Sequence, residues 1–213
     1  KFTDGYWQIR RGVQPLHPAA LADVTATSET LALFAATRRL DDRGDTLNHP
    51  LLAVKISAPM ADVLCVQLSH WAGDDAMAPA FAVEHTPGEV IVNIDAEVAT
   101  IASGRLSARI NRSGPWAIDY IAGGELVTRS GWKGMGVVEV AGEGCFTHEQ
   151  LQLAVGECAY GLGERFTAFV KNGQSVDIWN EDGGTASEQA YKNVPFYLTN
   201  RGYGVFVADP GAV

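Results

Sequence analysis

Apolar and polar residues alternate along much of this chain. In "RLSARIN" (105–111), Leu106, Ala108 and Ile110 alternate with Arg105, Ser107 and Arg109, the period of two that a half-buried strand requires. The stretches "DVLCVQLSH" (62–70), "EVIVNID" (89–95), "PWAIDYI" (115–121) and "YGVFVAD" (203–209) follow the same rule. "LALFAAT" (31–37) and "LLAVKISA" (51–58) also predict strands, the second apolar enough for an interior position. Between them lie turn-forming clusters such as "TPGE", "NRSGP", "AGGE" and "NRGYG". Only "AALADV" (19–24) predicts a short turn of helix, and no segment carries a convincing apolar stripe at helical spacing. Many short strands at regular spacing predict an all-β fold, an antiparallel β-sandwich. The 23 glycines fit it, because tight hairpins need positive φ.

Composition narrows the function classes. A chain of 213 residues can bury a proper core, as one large all-β domain or two small ones. Apolar residues at 46% and charged residues at 19% give an ordinary globular balance. A net charge of −9 argues against nucleic acid and against anionic membrane as partners, since both reward Lys and Arg. No apolar run approaches the ~20 residues of a membrane span, and the opening "KFTDGYWQIR" lacks the plan of a signal peptide. Cys65, Cys145 and Cys158 fit neither a disulfide framework nor a zinc site. They read as reduced, mostly packed thiols, which predicts a cytoplasmic protein. The five histidines show no metal-ligand pairing, so no metal is expected.

From Tyr160 onward the density of Gly, aromatic and polar residues rises. "WNEDGGTASEQAYKNVPFY" (179–197) sets two adjacent carboxylates, a Gly-Gly, hydroxyls and aromatics between two strand-like runs. The chain stops at "FVADPGAV", just after a strand, which reads as a cut within a longer protein. Together, "YGLGERF" (160–166), "WNEDGGT" (179–185), "EQAYKNVPFY" (188–197) and "NRGYGVFV" (200–207) resemble glycoside hydrolase family 31, closest to its bacterial α-xylosidases. The opening "DGYWQIRRGVQPLHP" and "SGRLSARINRSGPWAIDY" resemble that group's N-terminal domain.

The resemblance implies that residues 1–213 are one β-sandwich domain of the galactose-mutarotase-like type, with about 160–200 carrying a loop that faces an active site. It implies a retaining enzyme acting on an α-linked xylosyl or glucosyl oligosaccharide without metal or organic cofactor. Such enzymes often associate as homo-oligomers. In the family, nucleophile and acid/base are aspartates on a C-terminal (β/α) barrel. Retaining glycosidases need two carboxyl groups about 5–5.5 Å apart, and the family positions for both lie beyond Val213. No catalytic residue is therefore expected in this chain, and alone it should be inactive.

Each candidate has a plainer reading beside it. Extended neighbours project to opposite sides, so Glu181 and Asp182 do not form a facing pair. Asp182, followed by Gly183 and Gly184, can present one carboxylate at a loop tip. A carboxylate accepts from sugar hydroxyls, and Trp179 and Tyr191 suit the apolar faces of pyranose rings. By resemblance Asp182 is the first candidate for a substrate hydrogen bond and Thr185 the second; the alternative is a solvated acidic turn. Trp179 is either a stacking platform or strand-end packing, and composition favours packing. Lys192 and Asn193 either position the loop or pair with a carboxylate. "GLGERF" lacks the strand-then-helix context of a nucleotide loop, so Glu164 and Arg165 read as a hydrogen-bonded pair supporting the junction with the barrel.

Two other function classes stay open. A free-standing aldose mutarotase would need a His acid and a carboxylate base, such as His70 or His148 with Glu164. A carbohydrate-binding module would need an exposed aromatic platform, and Trp7, Trp71, Trp116 and Trp132 are the candidates. Were the chain active alone, Glu164, Asp177, Glu181, Asp182 and Glu188 would be the first carboxylates to replace.

Overall fold

The structure is a computed structural model that describes residues 3–4, 8–47, 49–69, 86, 88–181, 189–209 and 211–213. It divides into two compact units, one of residues 1–76 and 83–152, the other of residues 77–82 and 153–213.

The first unit opens with a ribbon of β1 (Thr3–Asp4) and β2 (Gln8–Ile9), then β3 (Val13–Leu16). One antiparallel sheet follows in chain order: β4 (Ala20–Ala26), β5 (Thr30–Ala36), β6 (Leu51–Met60) and β7 (Val63–Ser69). The second sheet runs through β8 (Val90–Ile94), β9 (Val98–Ser103), β10 (Leu106–Asn111), β11 (Ile118–Ala122), β12 (Glu125–Val140) and β13 (Gly144–Leu151). β3 joins it by pairing with β12. Leu31 and Leu33 of β5 and Val54 and Ile56 of β6 meet Ile101 of β9, Ile110 of β10 and Ile118 of β11 in one core, each essentially inaccessible. Two sheets burying alternate residues against each other make a sandwich.

Charge is admitted only where it is matched. Asp119 of β11 is 4% exposed, yet Arg129 Nη2 and Arg109 Nη2 each donate to its Oδ2 at 3.0 Å, and Arg129 Nε donates to Oδ1. Burial pushes this carboxyl upward, but the hydrogen bonds from Arg129 and Arg109 outweigh it and hold it below its ordinary value. Beside it β12 crosses under two histidines. A Cβ at Gly136 would stand 2.8 Å from His17 Nδ1 and 3.0 Å from His148 Nε2. Only a glycine there leaves room for the two imidazoles to meet, 3.3 Å apart and edge to face.

The second unit contains a small antiparallel sheet of β14 (Ala159–Gly163), β15 (Asn193–Thr199) and β16 (Gly204–Phe206). Val194, Phe196 and Leu198 alternate along one face of β15, and Phe196 pairs across to Phe206 of β16. All four are exposed, Phe206 at 62%.

Three expectations from the sequence are corrected. "AALADV" runs into strand β4: a register shift between Leu21 and Asp23 lets Leu21 and Val24, three apart, face the same core and imitate a helical stripe. The predicted strand 203–209 covers only Gly204–Phe206. The cysteines are free, but Cys65 and Cys145 are exposed, because both stand on the wet faces of their strands. No helix of the described residues is long and apolar enough to cross a membrane.

Candidate functional site

The loop singled out in the sequence springs from the second unit, and its base is tightly made. β14 ends at Gly163, where φ is +86° and any Cβ would overlap the Lys192 carbonyl oxygen and stand 2.8 Å from the Val194 nitrogen. The glycine is required for two reasons: left-handed backbone and close approach of β15. The amide of Glu164 then donates to the Lys192 carbonyl at 3.0 Å.

Asn193 fastens the two ends of the loop. Its Nδ2 donates to the carbonyls of Trp179 (2.7 Å) and Ala190 (2.6 Å) and approaches Asn180 Oδ1 at 3.0 Å. Its own amide donates to Asn180 Oδ1 at 2.9 Å, and its Oδ1 accepts from Arg165 Nη2. The amide orientation is fixed by chemistry, since guanidinium only donates and carbonyls only accept. Arg165 also donates to the carbonyls of Leu162 (3.0 Å) and Asp177 (3.1 Å). Asn180 and Ala190 form a bridge, the Glu181 amide donates to the Ala190 carbonyl at 3.1 Å, and Gln189 Nε2 donates to Glu181 Oε2 at 2.6 Å. Glu164 pairs with Lys192 Nζ at 3.2 Å, both more than half exposed. That surface pair is worth at most about 1 kcal/mol.

Against this base lies a cavity of ≈ 280 Å³ lined by Trp179, Asn180, Asn193, Pro195 and Asp209 among others. Trp179 is 55% exposed and Tyr191 59%, with Lys192 Nζ 5.9 Å from the Tyr191 ring centre. The arrangement offers aromatic faces and amides on a rigid support, which suits holding a polyol. Its described carboxylates have other duties: Glu181 holds Gln189, Glu164 holds Lys192, and Asp209 accepts from the Gly211 amide at 2.7 Å.

Asp182, Gly183, Gly184, Thr185 and Glu188 lie outside the described residues. So do Trp7, Trp71 and His70. Of the remaining tryptophans, Trp116 is core at 3% exposed, while Trp132 is 74% exposed. His148 stands against His17, whose Nδ1 also meets the Met135 carbonyl at 3.1 Å; burial first, then His17, lowers the His148 pKa. The sequence reading missed Asn180 as a member of the loop base, although an asparagine ahead of the acidic pair and another thirteen residues on was a visible signal.

Residues 53–213 match the family described as glycosyl hydrolase 31 N-terminal galactose mutarotase-like domain. The alpha-xylosidase XylQ of Lactiplantibacillus pentosus is 39% identical over 98% of this chain, and an alpha-xylosidase of Emericella nidulans is 36% identical over all of it. The chain spans only 27% and 30% of the length of these two relatives. Among solved structures, a cycloalternan-forming enzyme from Listeria monocytogenes, in complex with a pentasaccharide substrate, superposes with a TM-score of 0.71 at 19% identity. That overlap covers 92% of this chain and 18% of the other. A GH31 dextranase of Flavobacterium johnsoniae gives 0.65 at 18% identity, covering 91% of this chain and 22% of its own. At such identities the superpositions show a shared fold. The sandwich and the sequence match lead to one assignment: this chain belongs to the glycosyl hydrolase 31 N-terminal galactose mutarotase-like domain family.

Proposed function

We propose that the chain is the N-terminal domain of a retaining α-glycosidase of the α-xylosidase kind, which removes terminal α-linked xylosyl or glucosyl residues from oligosaccharides. The observation that carries this reading is the match along nearly the whole chain to two much longer proteins named alpha-xylosidase. In this reading the catalytic aspartates belong to a C-terminal (β/α) barrel of the same polypeptide, and no metal or organic cofactor takes part. The domain has two tasks. It packs against the barrel, for which Val194, Phe196, Leu198 and Phe206 offer an uncovered apolar face of the kind that marks an interaction surface. It also carries the 182–188 loop on the Asn193 clasp, so that Asp182 and then Thr185 meet sugar hydroxyls on the leaving-group side, with Trp179 beside them. Exposed, unpaired Cys65 and Cys145 fit a reducing, cytoplasmic setting.

The test is Asp182→Ala in the complete protein, assayed on an α-xylosyl disaccharide and on 4-nitrophenyl α-xyloside. An aglycone contact predicts that kcat/KM falls more on the disaccharide, because the activated aryl substrate does not need that hydroxyl held. Equal losses on both substrates would remove Asp182 from the leaving-group side. A complete protein that turns over neither α-xylosides nor α-glucosides would end the hydrolase reading.

A further inference from the structure

The first unit carries a feature that its role as a support does not explain. In β12 the pairing with β13 passes from Ser130↔Leu151 to Met135↔Glu149, so the intervening stretch of β12 bulges out of the ladder. The bulge is closely fitted. A Cβ at Gly134 would stand 2.9 Å from the Gly131 carbonyl oxygen and 3.1 Å from that of Gln150. Lys133, not a glycine, holds φ at +57°. Bulges re-aim side chains, and left-handed non-glycine backbone costs about 1–3 kcal/mol. What this one accomplishes is to push Trp132 into solvent at 74% exposure.

Trp132 stands at the edge of a groove of ≈ 340 Å³. Gln14, Pro15, Arg38, His49 and Pro50 help to line it, and among the described residues no carboxylate does. Lys133 Nζ sits 4.4 Å from the indole centre and braces the ring. The guanidinium in the groove is already engaged. Arg38 pairs with Asp45, and its Nη1 donates to His49 Nε2 at 2.9 Å. A guanidinium can only donate, so His49 is held as the tautomer that keeps a proton on Nδ1. His17 is occupied with Met135 and His148. For an anion the groove's described residues leave the Lys133 ammonium, which is exposed and lies over the indole. A neutral polyol would find an indole face, proline surfaces, an amide that both donates and accepts, and the His49 Nδ1–H as a further donor.

From these features we infer a second, non-catalytic saccharide-binding site at Trp132, which takes one or two neutral pyranose units of an oligosaccharide. The inference does not rest on the hydrolase reading, because binding at the sandwich needs no chemistry.

The test is titration of the 213-residue chain with isoprimeverose and with maltotriose, followed by the indole Nε1–H resonances in an NMR spectrum. Saturable displacement of the Trp132 resonance is expected. In Trp132→Ala, a surface change that leaves the core intact, affinity should fall about tenfold, equivalent to ~1.4 kcal/mol. Trp132→Tyr should recover most of the affinity by restoring an aromatic face. His49→Ala should weaken binding without moving the Trp132 resonance of the free protein. Equal affinity in Trp132→Ala, or no saturable binding to either sugar, would overturn the site. So would a change of sedimentation state in Trp132→Ala without a change in sugar affinity, which would make the platform a contact between copies.

Discussion

Replacing Asn193 by Asp tests how the loop is held, because the two residues have nearly the same shape and differ in the donor and in charge. The carboxylate keeps an acceptor toward Arg165 and strengthens that bond by adding charge. On the other side, the carbonyls of Trp179 and Ala190 lose donors now at 2.7 and 2.6 Å and face a negatively charged oxygen instead. Two such bonds are worth roughly 1 kcal/mol each, and the new charge opposite both carbonyls adds to the loss, although the Ala190 carbonyl keeps the Glu181 amide at 3.1 Å. The stronger Arg165 bond returns some of this, leaving a net loss of about 2 kcal/mol. The effect should be local, since the clasp joins only the ends of the loop. Hydrogen exchange is the fitting assay. The Glu181 amide, which donates to Ala190, should exchange about thirtyfold faster. The amide of Ile101, in the sandwich core, should not change. A change of less than about threefold at Glu181, or an equal acceleration at Ile101, would refute the clasp.

Two further outcomes are expected. Gly163→Ala should cost at least about 2 kcal/mol in urea unfolding, because the methyl meets β15 backbone as well as left-handed strain. Gly173→Ala, with similar φ of +75° but open space around it, isolates the strain alone and should cost about 1 kcal/mol. The His17–His148 pair predicts acid sensitivity. The folded-state pKa of His148 lies below its ordinary 6.5, so between those two values the unfolded chain binds more protons. This contribution is complete above 6.5 and is lost as pH falls from there through the folded-state value. His148→Gln should therefore flatten the fall of the urea midpoint with pH in that window, and an unchanged slope would remove the pair as its cause.

The sandwich was legible where strands alternate cleanly, as in β7, β8 and β10. It was illegible where backbone irregularity breaks the period. The bulge in β4 spaced Leu21 and Val24 like helix neighbours. In β12, Gly134 and Gly136 interrupt the period and are there because neighbouring backbone or imidazoles come too close for a Cβ. At the site, the sequence supplied the aromatic and acidic residues of the loop. It could not supply the whole clasp, because two partners of Asn193, at Trp179 and Ala190, are main-chain carbonyls, and a carbonyl leaves no trace in residue identity. Exposure was equally hidden: nothing in the letters distinguishes Trp116 in the core from Trp132 on a bulge.

The most direct test of the account is hydrolysis of 4-nitrophenyl α-xyloside by the 213-residue chain and by the full-length product of the same gene. Activity in the longer protein alone is the predicted result, and the catalytic aspartates would then be sought beyond Val213. Turnover by the 213-residue chain itself would contradict the account, and would make Glu164, Asp177, Glu181, Asp182 and Glu188 the first carboxylates to replace.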